Sequence, residues 1–209
     1  AFERRDGFHR GFLSAYSEEQ FDLLEQYTPY PVIWAPYYTL HKILAGLIDL
    51  SRLTGSGQAA DLASGIGCWV YERLSGLSHE QRTKMWGIYI AGEYGGMNEA
   101  LAWLYRMTGK EEYLTAARFF DNDKLFFPLE QGVDALDGMH ANQHIPQIVG
   151  AATMYEVTGE RRYLEIARRF WRNVTANHIY ATGGTGEGEM FHEPGKIAGL
   201  LTQSTQESC

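Results

Sequence analysis

Cysteine is nearly absent from this chain, with only Cys68 and Cys209 among 209 residues. Two distant thiols build no disulfide framework, so stability must come from an ordinary apolar core. No run of about 18 apolar residues occurs, so no transmembrane helix is expected. Basic residues are in deficit, 18 against 26 acids, which gives a net charge of -8. That balance argues against nucleic acid or an anionic membrane surface as partner. The first residues, AFERRDGFHR, are neither a signal peptide nor a transit peptide. They read as an internal start, which leaves the compartment open. Proline is sparse as well, and three of the six, Pro29, Pro31 and Pro36, crowd into one loop.

What the chain does contain is repetition. Three segments match: HKILAGLIDLSRLTGSGQAADLA, MNEALAWLYRMTGKEEYLTAARFF and QIVGAATMYEVTGERRYLEIARRFW. Each has an apolar helix, a Thr-Gly pair, a short polar turn and an amphipathic helix. The pairs Thr54-Gly55, Thr108-Gly109 and Thr158-Gly159 lie 54 and 50 residues apart. An alanine recurs nine residues after each threonine, at Ala63, Ala117 and Ala167. Glycine there suits a left-handed helix C-cap, and fixed-period similarity marks a repeat architecture. Upstream, helices are expected at about Ser17 to Gln26 and Tyr38 to Leu53.

The first helix of each repeat is apolar nearly all round, which fits burial on both faces. The second carries Arg and Glu on one side. The class is therefore all-α, as a solenoid or a closed α/α toroid of helical hairpins. Three hairpins are present, and a six-hairpin ring needs more chain. Aromatics make up 13% of residues, which suits either a ring-rich core or surfaces that stack on sugars.

Polar side chains gather just before the apolar helices. The first such loop ends at His41. The second carries Glu93 and Asn98. The third carries His140, Asn142, Gln143 and His144. Hydrogen-bonding groups in that position suit a polyhydroxylated ligand. The plainer reading has Asn98, Asp137 and Asn142 capping helices and ordinary loop histidines. His140 and His144 have a spacing that a metal accepts on a helix, but Pro146 argues against a regular helix there.

The last stretch, ATGGTGEGEMFHEPGKIAGLLTQSTQESC, is densest in chemistry. Glu187 and Glu189 follow the turn of Gly183, Gly184 and Gly186, and a glutamate there is open to two readings, a general acid/base on a constrained turn or a solvated acidic loop. Glu207 and Cys209, two apart, are donors of the types that zinc takes, although the triplet alone is weak evidence. Cys68 reads as a core residue on a second-type helix.

Five motifs, in order, resemble the β-L-arabinofuranosidase-type glycoside hydrolases of families 127 and 146. They are WAPYYTLHK (Trp34 to Lys42), EYGGMNE (Glu93 to Glu99), HANQHIP (His140 to Pro146), GGTGEGEMF (Gly183 to Phe191) and the closing ESC. The resemblance implies that residues 1–209 are part of an (α/α)6-barrel catalytic domain. It implies retaining hydrolysis of terminal β-L-arabinofuranosides, with an L-arabinofuranose-containing oligosaccharide or glycan as partner. It implies a zinc-bound cysteine nucleophile that lies beyond this chain, so that these 209 residues alone would be inactive. On the matching positions, Glu189 is the acid/base and Glu207 and Cys209 are zinc ligands. His41, His140, Asn142 and Gln143 line the sugar site. A dry cavity edge is expected around Glu189, to keep it protonated near neutral pH. Two other readings stand beside this one. One is another α/α-toroid sugar enzyme, such as an epimerase or unsaturated-glycoside hydrolase. The other is a non-catalytic carbohydrate-binding helical scaffold.

Overall fold

The computed structural model describes residues 8–202, and every regular element among them is an α-helix. In chain order these are α1 (Glu18–Glu25), α2 (Pro36–Thr54), α3 (Gly57–Ser75), α4 (His79–Trp86), α5 (Met97–Thr108), α6 (Glu111–Arg118), α7 (Asp123–Glu130), α8 (Ala141–Thr158), α9 (Arg161–Asn177) and α10 (Ile197–Leu200). They fall into two units that divide between Asp121 and Asn122.

The three Thr-Gly pairs end α2, α5 and α8. Gly55, Gly109 and Gly159 sit at φ of 72°, 70° and 72°. Each glycine N–H reaches back to a carbonyl, of Ser51, Tyr105 and Tyr155 respectively. Each threonine hydroxyl donates to the carbonyl four residues earlier, at 2.6 Å for Thr54, 2.7 Å for Thr108 and 2.6 Å for Thr158. Thr108 and Thr158 then accept from the N–H of Lys110 and Glu160, the residues that open the next helices. The pair therefore satisfies the end of one helix and steers the chain into the next. No atom lies within 4 Å of a Cβ placed on these glycines, so backbone conformation alone selects them.

In the first unit α2 packs on α5 and α3 on α6, which stacks the first hairpin on the second. Gly67 of α3 permits the approach. A Cβ there would meet Leu104 Cδ2 at 2.5 Å and Tyr113 Cε1 at 2.8 Å. The Tyr113 hydroxyl donates to the Ser64 carbonyl at 3.2 Å and lies 3.4 Å from Cys68 Sγ. Cys68 is thus half-buried beside polar groups rather than in the core.

The core of this unit is aromatic. Phe21, Tyr37 and Trp69 meet edge to face, and Trp86, Tyr94 and Phe120 continue the cluster. Three polar atoms of its aromatic side chains are paired. Trp69 Nε1 donates to Glu18 at 2.7 Å, Trp86 Nε1 to the Phe119 carbonyl at 2.9 Å, and the Tyr94 hydroxyl to the Phe120 carbonyl at 2.8 Å. Much of the aromatic enrichment is therefore core packing, while Trp34 and Tyr30 remain exposed.

In the second unit α8 packs on α9 and α7 on α9. The expectation of all-round burial for the first helix of each repeat does not hold among the described residues. Val149 on α8 is 47% exposed and Leu53 on α2 is 85% exposed; on the second helix of the third repeat, Trp171 is 70% exposed. Trp171 occupies the repeat position of Gly67, the point at which α3 receives α6. Besides the single turn of α10, two helices are unanticipated by apolar periodicity. The first, α4, buries only Met85 and starts with a Ser78–Gln81 capping box. The second, α7, starts with Asn122, whose side chain accepts from the Lys124 N–H at 3.2 Å.

Gly109→Ala is expected to destabilise the chain by about 1–2 kcal/mol through backbone strain alone. Gly67→Ala adds steric overlap and is expected to cost about 1–3 kcal/mol. Urea unfolding of both variants checks the two values.

Candidate active site

The turn that carries Glu189 is built from left-handed backbone. Gly186, Gly188 and Glu189 have φ of 78°, 53° and 71°, and a non-glycine residue held there is uncommon enough to suggest function. The Glu187 N–H donates to the Met190 carbonyl at 2.7 Å, and the Met190 N–H returns to Glu187 at 3.1 Å. A Cβ on Gly186 would lie 3.1 Å from the Met190 oxygen, so glycine is required there on two counts.

This turn is paired with the segment that enters α8. The Gly138 N–H donates to the Phe191 carbonyl at 2.8 Å, and the Phe191 N–H donates to the Met139 carbonyl at 2.8 Å. The Ala141 N–H, one of the open donors at the start of α8, donates to the Glu189 carbonyl at 2.8 Å. The pairing sets two side chains together, with His140 Nε2 3.7 Å from Glu189 Oε2. Glu189 is 60% exposed at its side chain and His140 11%. The dry surroundings expected for Glu189 are therefore not provided by this unit's described residues.

Gln143 is buried and Asn142 half-buried, both in the first turn of α8. The cap position belongs to His140, so Asn142 is not the N-cap of α8, just as Gly96 rather than Asn98 holds that place on α5. Pro146 lies inside α8 and does not prevent the helix. Its ring removes one N–H near the helix start, and the chain continues for three more turns. His144 Nδ1 lies 2.7 Å from the His140 carbonyl oxygen.

Behind the turn lies a buried cluster without a sequence signal. His178, which ends α9, has Nε2 3.1 Å from both carboxylate oxygens of Asp134. Asn177 Nδ2 donates to Asp134 at 3.0 Å. The Phe191 ring meets the His178 ring edge on, at 5.5 Å between centroids.

In the first unit, His41 of α2 accepts the Gly96 N–H at Nδ1, at 3.3 Å. A Cβ on Gly95 or Gly96 would fall 3.0 Å or 2.9 Å from His41 ring nitrogens, which accounts for the Gly-Gly pair. Burial, with a smaller contribution from Lys42, lowers the His41 pKa to about 4, so the ring is neutral. Burial also raises the pKa of Glu99, in the first turn of α5, against opposing contributions from Trp103, Lys42 and Arg52. Sequence alone did not single out Glu99, since its burial comes from the packing of α2 on α5.

Glu207 and Cys209 lie outside the described residues. Among the described residues, no group of three or more His, Cys, Asp or Glu side chains is placed to hold a metal ion. A carboxylate and a thiolate suit zinc chemically but are fewer than the four donors of a tetrahedral site.

A family profile described as β-L-arabinofuranosidase, GH127 catalytic domain, matches residues 3–209. A non-reducing end β-L-arabinofuranosidase of Bifidobacterium longum subsp. longum is 22% identical over 187 residues, which is 74% of this chain and 27% of that protein. The solved GH127 β-arabinofuranosidase BT3674 superposes with a TM-score of 0.60 at 22% identity, covering 82% of this chain and 27% of that one. The chain thus spans about a quarter of the length of each relative, and its helical fold matches that of the solved one.

The depressed His41 pKa makes stability fall with acid. The unfolded imidazole takes up its proton near the ordinary value of 6.5, and the folded one only near 4. The contribution is therefore fully present above pH 6.5 and is lost as pH falls toward 4, at up to about 1.4 kcal/mol per pH unit. His41→Gln is expected to flatten that limb in urea midpoints measured across the window.

Proposed function

The chain belongs to the GH127 β-L-arabinofuranosidase catalytic-domain family, and from that premise we propose that it contributes the acid/base side of a site for retaining hydrolysis of terminal β-L-arabinofuranosides. The observation that carries the reading is Glu189. It stands on a left-handed turn braced against α8, with its carboxylate in the open and His140 beside it. An acid/base must meet the glycosidic oxygen and then a water in one location, and a rigid turn holds it there.

In this reading Glu189 gives its proton to the leaving oxygen as the bond to the anomeric carbon breaks, then takes a proton from the attacking water. Two displacements at that carbon give net retention. His140 lies against the Glu189 carboxylate, and Asn142 and Gln143 offer amide groups to sugar hydroxyls. His41, neutral and an acceptor at Nδ1, keeps a ring N–H at Nε2 that can donate to a hydroxyl. Glu207 and Cys209 would be two donors toward a zinc ion, two fewer than a tetrahedral site takes. When bound, zinc would keep a nucleophilic thiol deprotonated near neutral pH.

The test belongs in a protein of the relatives' length that carries this segment. Glu189→Gln is expected to lower turnover of a terminal β-L-arabinofuranoside by roughly 10²–10⁴-fold, and near-native turnover removes Glu189 from the role. Cys209→Ser is expected to lower the bound zinc measured by elemental analysis. An unchanged metal content removes Cys209 from the ligand set.

A further inference from the structure

One carboxylate reaches both halves of the pairing that sets Glu189 beside His140. Asp134 opens the segment that runs on to Gly138, Met139, His140 and Ala141. The same carboxylate accepts from Asn177 Nδ2 and from His178 Nε2, at the point where α9 ends and the Glu189 segment begins. The Leu136 N–H adds a third donor at 3.4 Å. From His178 the contact continues in two directions. Its carbonyl accepts the Thr185 hydroxyl at 2.7 Å, which closes the base of the Glu189 hairpin. Its ring meets Phe191, whose N–H and carbonyl are the ones paired with Met139 and Gly138.

We propose that Asp134 and His178 are positioning residues for Glu189, the buried carboxylate–imidazole bond holding the two paired segments in the alignment that presents it. This rests on the reading of Glu189 as the acid/base. His178 has no solvent exposure, and its Nδ1 is buried without a hydrogen-bond partner. Nε2 is therefore the nitrogen that carries a proton to Asp134, and that bond is the ring's one polar tie among the described residues. An imidazole suits the place because it donates at Nε2 while its ring packs against Phe191. The His192 ring also packs on it, at 5.2 Å between centroids, with its Nδ1–H donated to the Glu193 carbonyl. It leaves the Asp134 bond untouched.

The experiment reads ring resonances of His140 by NMR in the 209-residue chain, with Glu189→Gln setting the full change expected when that neighbour is altered. His178→Phe keeps a ring against Phe191 and removes the donor. It is expected to shift the His140 resonances by more than half of the Glu189→Gln change, with little added in the double variant. His178→Gln, which restores an N–H toward Asp134, is expected to shift them less than His178→Phe does. A His178→Phe spectrum with His140 unmoved overturns the proposal, as does the reverse order of the two variants, which would mean that ring packing alone positions the turn. Should His178→Phe fail to fold, Asp134→Ala decides, with Asn177→Ala as its control. Asn177→Ala leaves the His178–Asp134 bond in place and is expected to leave His140 nearly unmoved. Asp134→Ala removes the acceptor of that bond and keeps the imidazole against Phe191, so that an unmoved His140 in Asp134→Ala, or an equal shift in both variants, overturns the proposal. The readout needs no turnover. An active Glu189→Gln enzyme would therefore defeat the acid/base reading and leave this measurement standing.

Discussion

Each hairpin of this chain depends on stopping a helix at one residue and reversing direction within three. A glycine in the left-handed region does the stopping, and the preceding threonine returns its hydroxyl to the carbonyl four residues back. Without that local solution the last carbonyls of α2, α5 and α8 would be left open, and the partner helix would leave in another direction. The hairpins then differ in what their second helices present. Gly67 leaves room on α3 for the Tyr113 and Leu104 side chains, whereas Trp171 at the same repeat position stands exposed.

In each unit the candidate site residues lie where helices begin. In the first unit a Gly-Gly pair lets the start of α5 close onto His41, and the same burial keeps that imidazole neutral and the Glu99 carboxyl harder to ionise. In the second unit an extended segment pairs with the entry to α8, and the first open N–H of that helix is satisfied by the carbonyl of Glu189 itself. The residue with the proposed chemistry is thus fixed through its main chain, which leaves its side chain free in solvent. Such an arrangement separates positioning from reactivity. The backbone supplies the first, and the carboxylate with its neighbour His140 supplies the second.

How much of this could be read from the sequence depended on the range of the interaction. Thr-Gly turns, the hairpins they join and the Gly-rich turn before Glu189 are local, and each leaves a signature within a few residues. Pro146 was misleading because the rule against proline in helices weakens where few backbone bonds have yet formed. Helix α4 escaped because its start is set by a polar capping box and only Met85 is fully buried, with no apolar periodicity along its eight residues. Asp134 and His178 escaped for a different reason: their contact spans 44 residues, and neither carries a motif.

The order of amino acids by itself determined the all-α class, the hairpin repeat and its capping residues, and the five motifs that mark the family, because each is written in neighbours along the chain. Only the tertiary structure decided which histidines are buried and neutral, which glycines exist to admit another side chain, and which carboxylate binds the two segments around Glu189. Those properties depend on desolvation and on contacts between residues 40 to 55 apart, and neither has a value until the helices have packed.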